Sequence, residues 1–194
     1  MSKSLDEMTD AERSQLFPII LSEHKPVWKK NYRKERVVIE QAVGTRDVVR
    51  ISHIGSTAVT GLIAKPTIDI LIEIKDDTDT TSVISNMQQG GYRYLEQPDN
   101  PPPHMMFIKG YTPEGFKGQV FHVHIRCSGD WDEIYFKDYL LTHPEIAEEY
   151  GRLKLELKQK HEYDRDVYTN DKTDFIKRIC GLARAEANSL RLHL

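Results

Sequence analysis

The fold of this chain is decided by residues 53–73, HIGSTAVTGLIAKPTIDILIE. A segment rich in β-branched residues, Val48–Ile54, leads into the turn Gly55–Thr57, and a second such segment follows at Thr67–Ile74. We predict that both segments are strands. The second strand carries a single acid, Asp69, 13 residues after the serine of the turn and within a run of isoleucines.

This arrangement is typical of a nucleotidyltransferase-type site. The glycine allows the backbone to approach a phosphate group closely, and the aspartate can hold a divalent metal ion. Lys65 lies between the turn and the second strand, where it is placed to reach a phosphate near Ser56. Further along the chain, Tyr168, Thr169 and Lys172 are expected near a helix N-terminus, where anions are favoured. Lys65 and Lys172 are therefore candidate phosphate contacts.

Two predicted strands each combine one apolar face with one face of ionisable groups, because side chains alternate along a strand. In Thr67–Ile74 the isoleucines share the core face, and the opposite face is formed by Thr67, Asp69, Leu71 and Glu73. In Gln119–Cys127 the polar face is formed by His122, His124 and Arg126. If the two strands are neighbours, the polar faces form one site. Asp69 would then bind a metal, and the other strand would supply metal, proton-transfer or phosphate contacts.

Each of these groups also has a structural interpretation. Asp69 could cap a turn or pair with Arg126, and the histidine pair could lie on a solvated sheet face. The histidines do not predict a zinc centre, because no third histidine or cysteine has motif spacing. His53, directly before the turn, is as compatible with packing as with catalysis. We interpret the basic residues of the C-terminal helices as a solvated face; they are Lys154, Lys158, Lys160, Arg165, Lys172 and Lys177.

The rest of the chain predicts helices on both sides of a small sheet. Thr9 and Glu12 have the spacing of a capping box. The other predicted elements are a helix at Val27–Val43, a helix over residues 79–89, strands at Tyr92–Leu95 and Met105–Lys109, a hairpin over Gly110–Gly118, and helices over residues 130–142, from Pro144 onward and over residues 172–187. This order predicts an α+β fold.

The composition restricts the class of protein. A chain of 194 residues can form one domain with its own core, and 39% hydrophobic and 29% charged residues are typical of a soluble globular protein. The net charge of −3 argues against a general nucleic-acid binder. The polar start is unlike a signal peptide, no apolar stretch approaches the ~18 residues of a membrane span, and the two cysteines are interpreted as reduced thiols. We expect a cytoplasmic protein without membrane association, and the oligomeric state is left open.

Three stretches resemble the GrpB family, a set of bacterial proteins assigned to the nucleotidyltransferase superfamily. The stretches are HIGSTAVTGLIAKPTIDI, FHVHIRCSGDWDEIYFKDYLLTHPEIAEEYGRLKLEL and DRDVYTNDKTDFIKRI. The resemblance implies a single domain over residues 1–194 with a core at about 27–180. It implies a nucleotidyltransferase-like small mixed sheet flanked by helices, with extra C-terminal helices. It also implies that Gly55 and Ser56, with the adjacent Thr57, hold nucleotide phosphates and that Asp69 is a metal carboxylate.

The chain departs from the superfamily pattern after this aspartate. Active members place a second carboxylate two residues later, where this chain has Leu71. Glu73 lies on the same strand face, about 6–7 Å further along, which is marginal for sharing a metal with Asp69. A third carboxylate comes from a neighbouring strand, where this chain offers His122 or His124. One Mg²⁺ or Mn²⁺ with mixed ligands is compatible with these residues, since Mn²⁺ accepts imidazole more readily than Mg²⁺ does.

The leading hypothesis is a metal-dependent nucleotidyltransferase, with a nucleotide and a small-molecule acceptor as partners. Lys65 and Arg126 would neutralise phosphate charge, and His122 or His124 would orient or deprotonate the acceptor hydroxyl. A second hypothesis is a nucleotide- or metabolite-binding protein of the same fold that has lost catalysis. A third is an enzyme of different chemistry centred on the histidine pair.

Overall fold

The computed structural model describes residues 3–192, with side chains described as far as Leu190. Within that range the helices are α1 (Asp10–Leu16), α2 (Val27–Val43), α3 (Thr80–Gln89), α4 (Asp132–Thr142), α5 (Pro144–His161), α6 (Arg165–Asn170) and α7 (Thr173–Leu192). The strands are β1 (Val48–Ile54), β2 (Thr67–Ile74), β3 (Arg93–Leu95), β4 (Met105–Thr112) and β5 (Gly115–Cys127), and a short 3-10 turn covers Ser56–Ala58.

The five strands form one mixed sheet in the order β1-β2-β5-β4-β3. Strand β2 pairs with β5 in parallel, and the other neighbouring strands pair antiparallel. The parallel register sets Asp69 opposite His122, Leu71 opposite His124 and Glu73 opposite Arg126. The prediction that the two polar strand faces are neighbours is therefore confirmed, as is the α+β class with a mixed sheet.

One face of the sheet packs on α2 and α3. The four isoleucines of β2 are fully buried there, as the alternation predicts. Trp28 and Ile39 of α2 and Met87 of α3 complete the same apolar cluster, and each is at most 1% exposed. Burial of such large apolar side chains is the main stabilising contribution to this layer, at about 25 cal/mol per Å² removed from water.

The other face of the sheet is turned toward the C-terminal helices. A second apolar cluster includes Leu62 after the turn, Phe136 of α4, Tyr150 of α5 and Ile179 of α7. The later part of β2 is also covered on this face, since Leu71 is fully buried and Glu73 is only 1% exposed. The face of β2 opposite the isoleucines is therefore buried at this end of the strand.

Several element boundaries differ from the sequence-based ones. The capping box of α1 is confirmed, because the Thr9 hydroxyl accepts from the Glu12 amide and the Glu12 carboxylate accepts from the Thr9 amide. The predicted hairpin is tighter, since β4 and β5 extend toward each other and leave only residues 113–114 between them. Helix α6 was not predicted; the Asp164 side chain caps it by accepting from the Val167 amide. Within residues 3–192, no helix has the length and hydropathy needed to cross a bilayer.

Candidate active site

A cavity of about 1390 Å³ opens over the polar face of the central strands. The turn after β1, the strands β2, β4 and β5, the helices α4 to α7 and the N-terminal segment all contribute to its wall. Of the residues predicted for the site, the following line this cavity: Gly55, Ser56, Lys65, Asp69, His122, His124, Arg126 and Lys172. Most of the candidate set is therefore brought together in one place.

Gly55 shapes the wall next to Asp69. Its φ of +68° lies in the left-handed region, which L side chains rarely adopt. A Cβ at this position would lie 3.1 Å from both Cβ and Cγ of Asp69, and closer than 3.0 Å to Oδ2. Glycine is thus required here for two reasons, the backbone conformation and the approach of the aspartate. Ser56 begins the 3-10 turn that follows.

Thr57 supports this turn from beneath and is 2% exposed. Its hydroxyl donates to the Thr67 carbonyl at 3.1 Å and lies 3.0 Å from His53 Nε2. The His53 ring stacks on Tyr32, with ring centroids 4.7 Å apart, and burial lowers the pKa of His53 to about 4. Thr57 and His53 are therefore packed behind the turn, with polar atoms engaged within the protein. The structure does not bring Thr57 to the cavity wall.

A chain of polar contacts runs across the cavity floor from Asp69. His122 Nδ1 is 3.5 Å from Asp69 Oδ1, and His122 Nε2 is 2.8 Å from the Tyr111 hydroxyl. Arg165 of α6 donates to that hydroxyl at 3.0 Å. Burial alone would raise the pKa of Asp69, but the hydrogen bond and charge of His122, with His124 and Lys65, lower it below its usual value. Asp69 is accordingly an ionised carboxylate at neutral pH.

The other two polar residues of β5 differ from each other. Burial lowers the pKa of His124, so its ring is neutral at neutral pH and can accept a proton. Arg126 lines the cavity, but it is paired with Glu133 at 2.8 Å and its guanidinium lies over the Trp131 ring at 4.7 Å. Its charge is thus largely compensated within the protein.

Two buried lysines and the partly exposed Lys65 lie together at one end of the cavity. Burial lowers the pKa of Lys65 to about 8, with Arg165 adding to the effect. Burial lowers the pKa of Lys154 to about 7, assisted by Lys172 and Lys65, and burial with Lys65 lowers that of Lys172 to about 7. Among the ion pairs of the described residues, none links these three lysines to a carboxylate within 4.0 Å. The charge of Asp69 favours the protonated forms of Lys65 and Lys172, and the clustering of the three basic groups makes this end a candidate anion site.

Aromatic rings and backbone hold the lysines in place. Lys154 Nζ donates to Ser56 Oγ at 3.1 Å and to the Ile63 carbonyl, and it lies over the Tyr150 ring at 4.6 Å. Lys65 and Lys172 both lie over the ring of Tyr168, at 5.3 and 4.2 Å. The Tyr168 ring is completely buried. These cation–π contacts offset part of the cost of burying the charges.

The sequence-based interpretation of the basic helical residues is wrong for Lys154 and Lys172, which are 3% and 8% exposed. A signal for Lys154 was available, because it lies between Tyr150 and Leu157 at helical spacing and so borders the apolar stripe of α5. Tyr111 and Arg165 had no comparable signal. Tyr111 belonged to a predicted hairpin connection, and the placement of Arg165 depends on the packing of α6.

Glu73 does not join Asp69. Its carboxylate pairs with Arg50 and accepts from the Gly129 amide at 3.1 Å, and it is absent from the cavity wall. The intervening Leu71 is fully buried and offers no ligand atom. Within residues 3–190, no group of three or more His, Cys, Asp or Glu side chains is arranged to hold a metal ion. Of the two carboxylates predicted as metal ligands, only Asp69 lines the cavity, with His122 beside it.

Comparison with solved structures supports the fold assignment. A crystal structure of the Cid1 poly(U) polymerase, described as bound to MgGTP, matches with a TM-score of 0.50 over 72% of this chain and 44% of that chain. Sequence identity is 8%, so this likeness concerns the nucleotidyltransferase fold alone. The crystal structure of the conserved protein GrpB from Enterococcus faecalis matches with a TM-score of 0.76 and 28% identity, over 87% of this chain and 99% of that chain.

Sequence comparison identifies the family. A UPF0157 protein of Pseudomonas aeruginosa is 33% identical over 177 residues, which cover 91% of this chain and 70% of the relative. The glutamate-rich protein GrpB of Alkalihalophilus pseudofirmus is 33% identical over 165 residues, covering 83% of this chain and 93% of the relative. The family profile described as GrpB protein matches residues 18–181. This chain therefore belongs to the GrpB family.

Proposed function

We propose that this protein transfers a nucleotidyl group from a nucleoside triphosphate to the hydroxyl of a small-molecule acceptor, with one divalent metal ion. The observation that carries the proposal is the charge arrangement of the cavity. Among the described residues, Lys65, Lys154 and Lys172 form no ion pair with a carboxylate within 4.0 Å, and they share the cavity with the ionised carboxylate of Asp69. A phosphate chain would neutralise the lysines, and a metal ion would connect that chain to the carboxylate. The fold likeness to a polymerase crystallised with MgGTP supports the same substrate class.

The proposed phosphate contacts come from two sides of the cavity. Gly55 and Ser56 would present backbone amides to the phosphates, as small-residue turns do. Lys65, Lys154 and Lys172 would supply the charges. Two of these lysines have a pKa of about 7, and a bound polyanion would raise both pKa values, so the lysines would take up protons on binding. The protonated lysines would hold the polyanion more tightly than neutral lysines would.

Asp69 fits a metal ion that arrives with the phosphates, and it does not fit a two-metal centre. Mg²⁺ is commonly held by one or two carboxylates together with substrate phosphates. The absence of a Cβ at Gly55 keeps the space beside Asp69 free. A second carboxylate is missing, because Leu71 is apolar and Glu73 is paired with Arg50. When bound, Mg²⁺ or Mn²⁺ would neutralise phosphate charge, and the ring of His122 would suit Mn²⁺.

The transfer step balances with the groups in the cavity. The acceptor oxygen forms a bond to the α-phosphorus while the bond from that phosphorus to the bridging oxygen breaks, and pyrophosphate leaves with the electron pair. The hydroxyl proton passes to His122 or His124. His124 suits this role because its lowered pKa keeps the ring neutral. The lysines stabilise the charge that develops on the leaving group.

The test is calorimetric titration of the protein with each nucleoside triphosphate, with and without Mn²⁺. We expect binding that requires the metal in the wild type and is lost in Asp69→Asn. Asp77→Asn is the matched control, since it neutralises an exposed carboxylate after β2 and should bind normally. Metal-independent binding, or equal binding by folded Asp69→Asn, would refute the metal role of Asp69.

A second candidate, a nucleotide-binding protein without catalysis, is favoured by one observation. The position where active members carry a second carboxylate is the fully buried Leu71. Binding without release of pyrophosphate, across a panel of acceptor alcohols, would support this alternative over the transferase.

A further inference from the structure

The register of the sheet carries the cavity floor beyond the histidines toward the edge strand. His122 lies opposite Ile108 of β4, and His124 lies opposite Met106. Met106 in turn lies opposite Leu95 of β3. Residues 106 and 108 share a face because side chains alternate. All five side chains line the cavity. We call Leu95, Met106 and Ile108 the apolar platform.

The apolar platform has a chemistry opposite to that of the lysine end. Its three side chains are partly exposed into the cavity and carry no charge. The charged groups at its margin are compensated, because Arg93 pairs with Asp6 and Arg13 pairs with Asp10. The N-terminal segment, including Leu5 and Phe17, lines the cavity on the same side. An uncharged, apolar ligand is therefore favoured here, whereas the lysine end favours an anion.

We propose that the apolar platform is the acceptor subsite, and that the acceptor is an uncharged alcohol with an apolar body. This inference rests on the proposed transferase function. The histidines separate the two ends of the cavity: Asp69 is the neighbour of His122 on one side, and Ile108 is its neighbour on the other. Directly opposed side chains in a sheet have Cβ atoms about 5 Å apart. An alcohol on the platform therefore places its hydroxyl within reach of a histidine that can take the proton.

The balance of the transfer is unchanged by this assignment. The alcohol oxygen bonds to the α-phosphorus, the bond from that phosphorus to the leaving oxygen breaks, and pyrophosphate departs with the electron pair. The proton goes to the ring nitrogen of His122 or His124. The apolar body of the acceptor stays on the platform and contributes binding energy through burial from water.

The subsite can be tested without nucleotide or metal. The probe is a series of straight-chain primary alcohols from ethanol to octanol, titrated into protein labelled with ¹³C in the methionine methyl groups. The Met106 methyl signal should shift and saturate, with the affinity rising roughly fourfold per methylene until the platform is filled. The buried Met87 and Met105 are internal controls and should not respond.

Variants locate the binding. Ile108→Asn should weaken octanol binding at least tenfold while Met106 still reports it, and Met106→Gln should weaken it in a calorimetric titration. Leu141→Asn is the matched control, since this leucine is 45% exposed on α4 and absent from the cavity wall. An affinity that does not depend on chain length, or a Met106 signal that does not move, would overturn the proposal.

A second titration separates this subsite from the transferase proposal. Inorganic triphosphate added to the octanol complex should bind without displacing the alcohol, because the two probes occupy opposite ends of the cavity. Displacement would overturn the division of the cavity. If octanol binds on the platform but no nucleoside triphosphate binds at the lysine end, the transferase proposal and the acceptor role fail together, and the platform remains only an apolar binding site.

Discussion

Replacing Gly55 by alanine tests the closest contact in the candidate site. The substitution adds one methyl group at a φ of +68° and directs it at Asp69. Gly61→Ala is a matched control, because Gly61 has a φ of +82° in the same loop region and a Cβ there would meet no atom within 4 Å. Both variants therefore place alanine at a positive φ, and Gly55→Ala alone adds the collision.

The two effects differ in size and in kind. A left-handed alanine costs about 1–2 kcal/mol, so Gly61→Ala should lose about that much free energy of unfolding. Gly55→Ala should lose more, because the ψ of −173° at Gly55 lies in a region that essentially only glycine adopts. In Gly55→Ala, moving Asp69 Oδ2 to an ordinary contact distance of 3.4 Å requires a shift of up to about 1 Å. Displacements of that size at a reacting centre can cost about a hundredfold in rate. Compared with Gly61→Ala, we expect Gly55→Ala to lose more in nucleotide binding than in free energy of unfolding.

Three assays measure these effects. Urea unfolding gives the free energy for wild type, Gly55→Ala and Gly61→Ala. Carboxyl ¹³C NMR then follows the titration of Asp69, whose pKa is held down by His122 and should rise in Gly55→Ala when the carboxylate moves away. Nucleotide binding with Mn²⁺ should be retained by Gly61→Ala and lost in Gly55→Ala. The reasoning is refuted if Asp69 has the same pKa in Gly55→Ala and Gly61→Ala and if the two variants bind nucleotide equally well.

Four further results are expected. Affinity for inorganic triphosphate should fall between pH 7 and 9, because the pKa of Lys154 and of Lys172 is about 7. The fall should be up to about tenfold per pH unit for each lysine that loses its proton. An affinity that does not change with pH in calorimetric titrations would contradict this. Over the same window the ligand-free protein should become more stable to urea, since these two pKa values lie below those of unfolded lysine and the unfolded chain binds more protons. Glu73→Gln should lower the free energy of unfolding, measured in urea, by about 1–3 kcal/mol, because it weakens the ion pair with Arg50. Metal-supported nucleotide binding should persist in this variant. Loss of that binding would indicate that Glu73 is a metal ligand. Thr57→Val should lower the free energy of unfolding by a similar amount, because the Thr67 carbonyl loses its hydrogen-bond donor. Triphosphate affinity, measured by calorimetry, should stay within about threefold of the wild-type value. A larger loss of affinity would indicate that Thr57 contacts the phosphate.

The sheet was more predictable than the cavity, and the reason lies in periodicity. A strand offers only two faces, so the isoleucines of β2 were enough to assign Asp69 to the opposite one. Alternation in β5 assigned His122 and His124 in the same way. The bounds of α2 and β2 also follow from local pattern and agree with the structure.

The helical contribution to the cavity could not be obtained from local pattern. Lys154 is cationic, and its burial depends on α5 packing over the turn so that the amine meets Ser56. Tyr111 enters the site because β4 continues further than its apolar residues indicate. The burial of Glu73 depends on Gly129 and Arg50, which lie far from it in the chain. Each of these facts belongs to tertiary packing.

The parallel pairing of β2 with β5 has a consequence for how the protein is made. Asp69 and His122 are neighbours in the sheet but about fifty residues apart in the chain, and the segment between them contains α3, β3 and β4. Parallel strands cannot be closed by a tight turn, so this contact carries a large loop-closure entropy and is expected late in folding. Lys172 follows still later in synthesis, just before α7. A nascent chain can therefore hold much of its sheet on the ribosome and still lack the proposed anion site, so the proposed binding function requires synthesis to continue through Lys172.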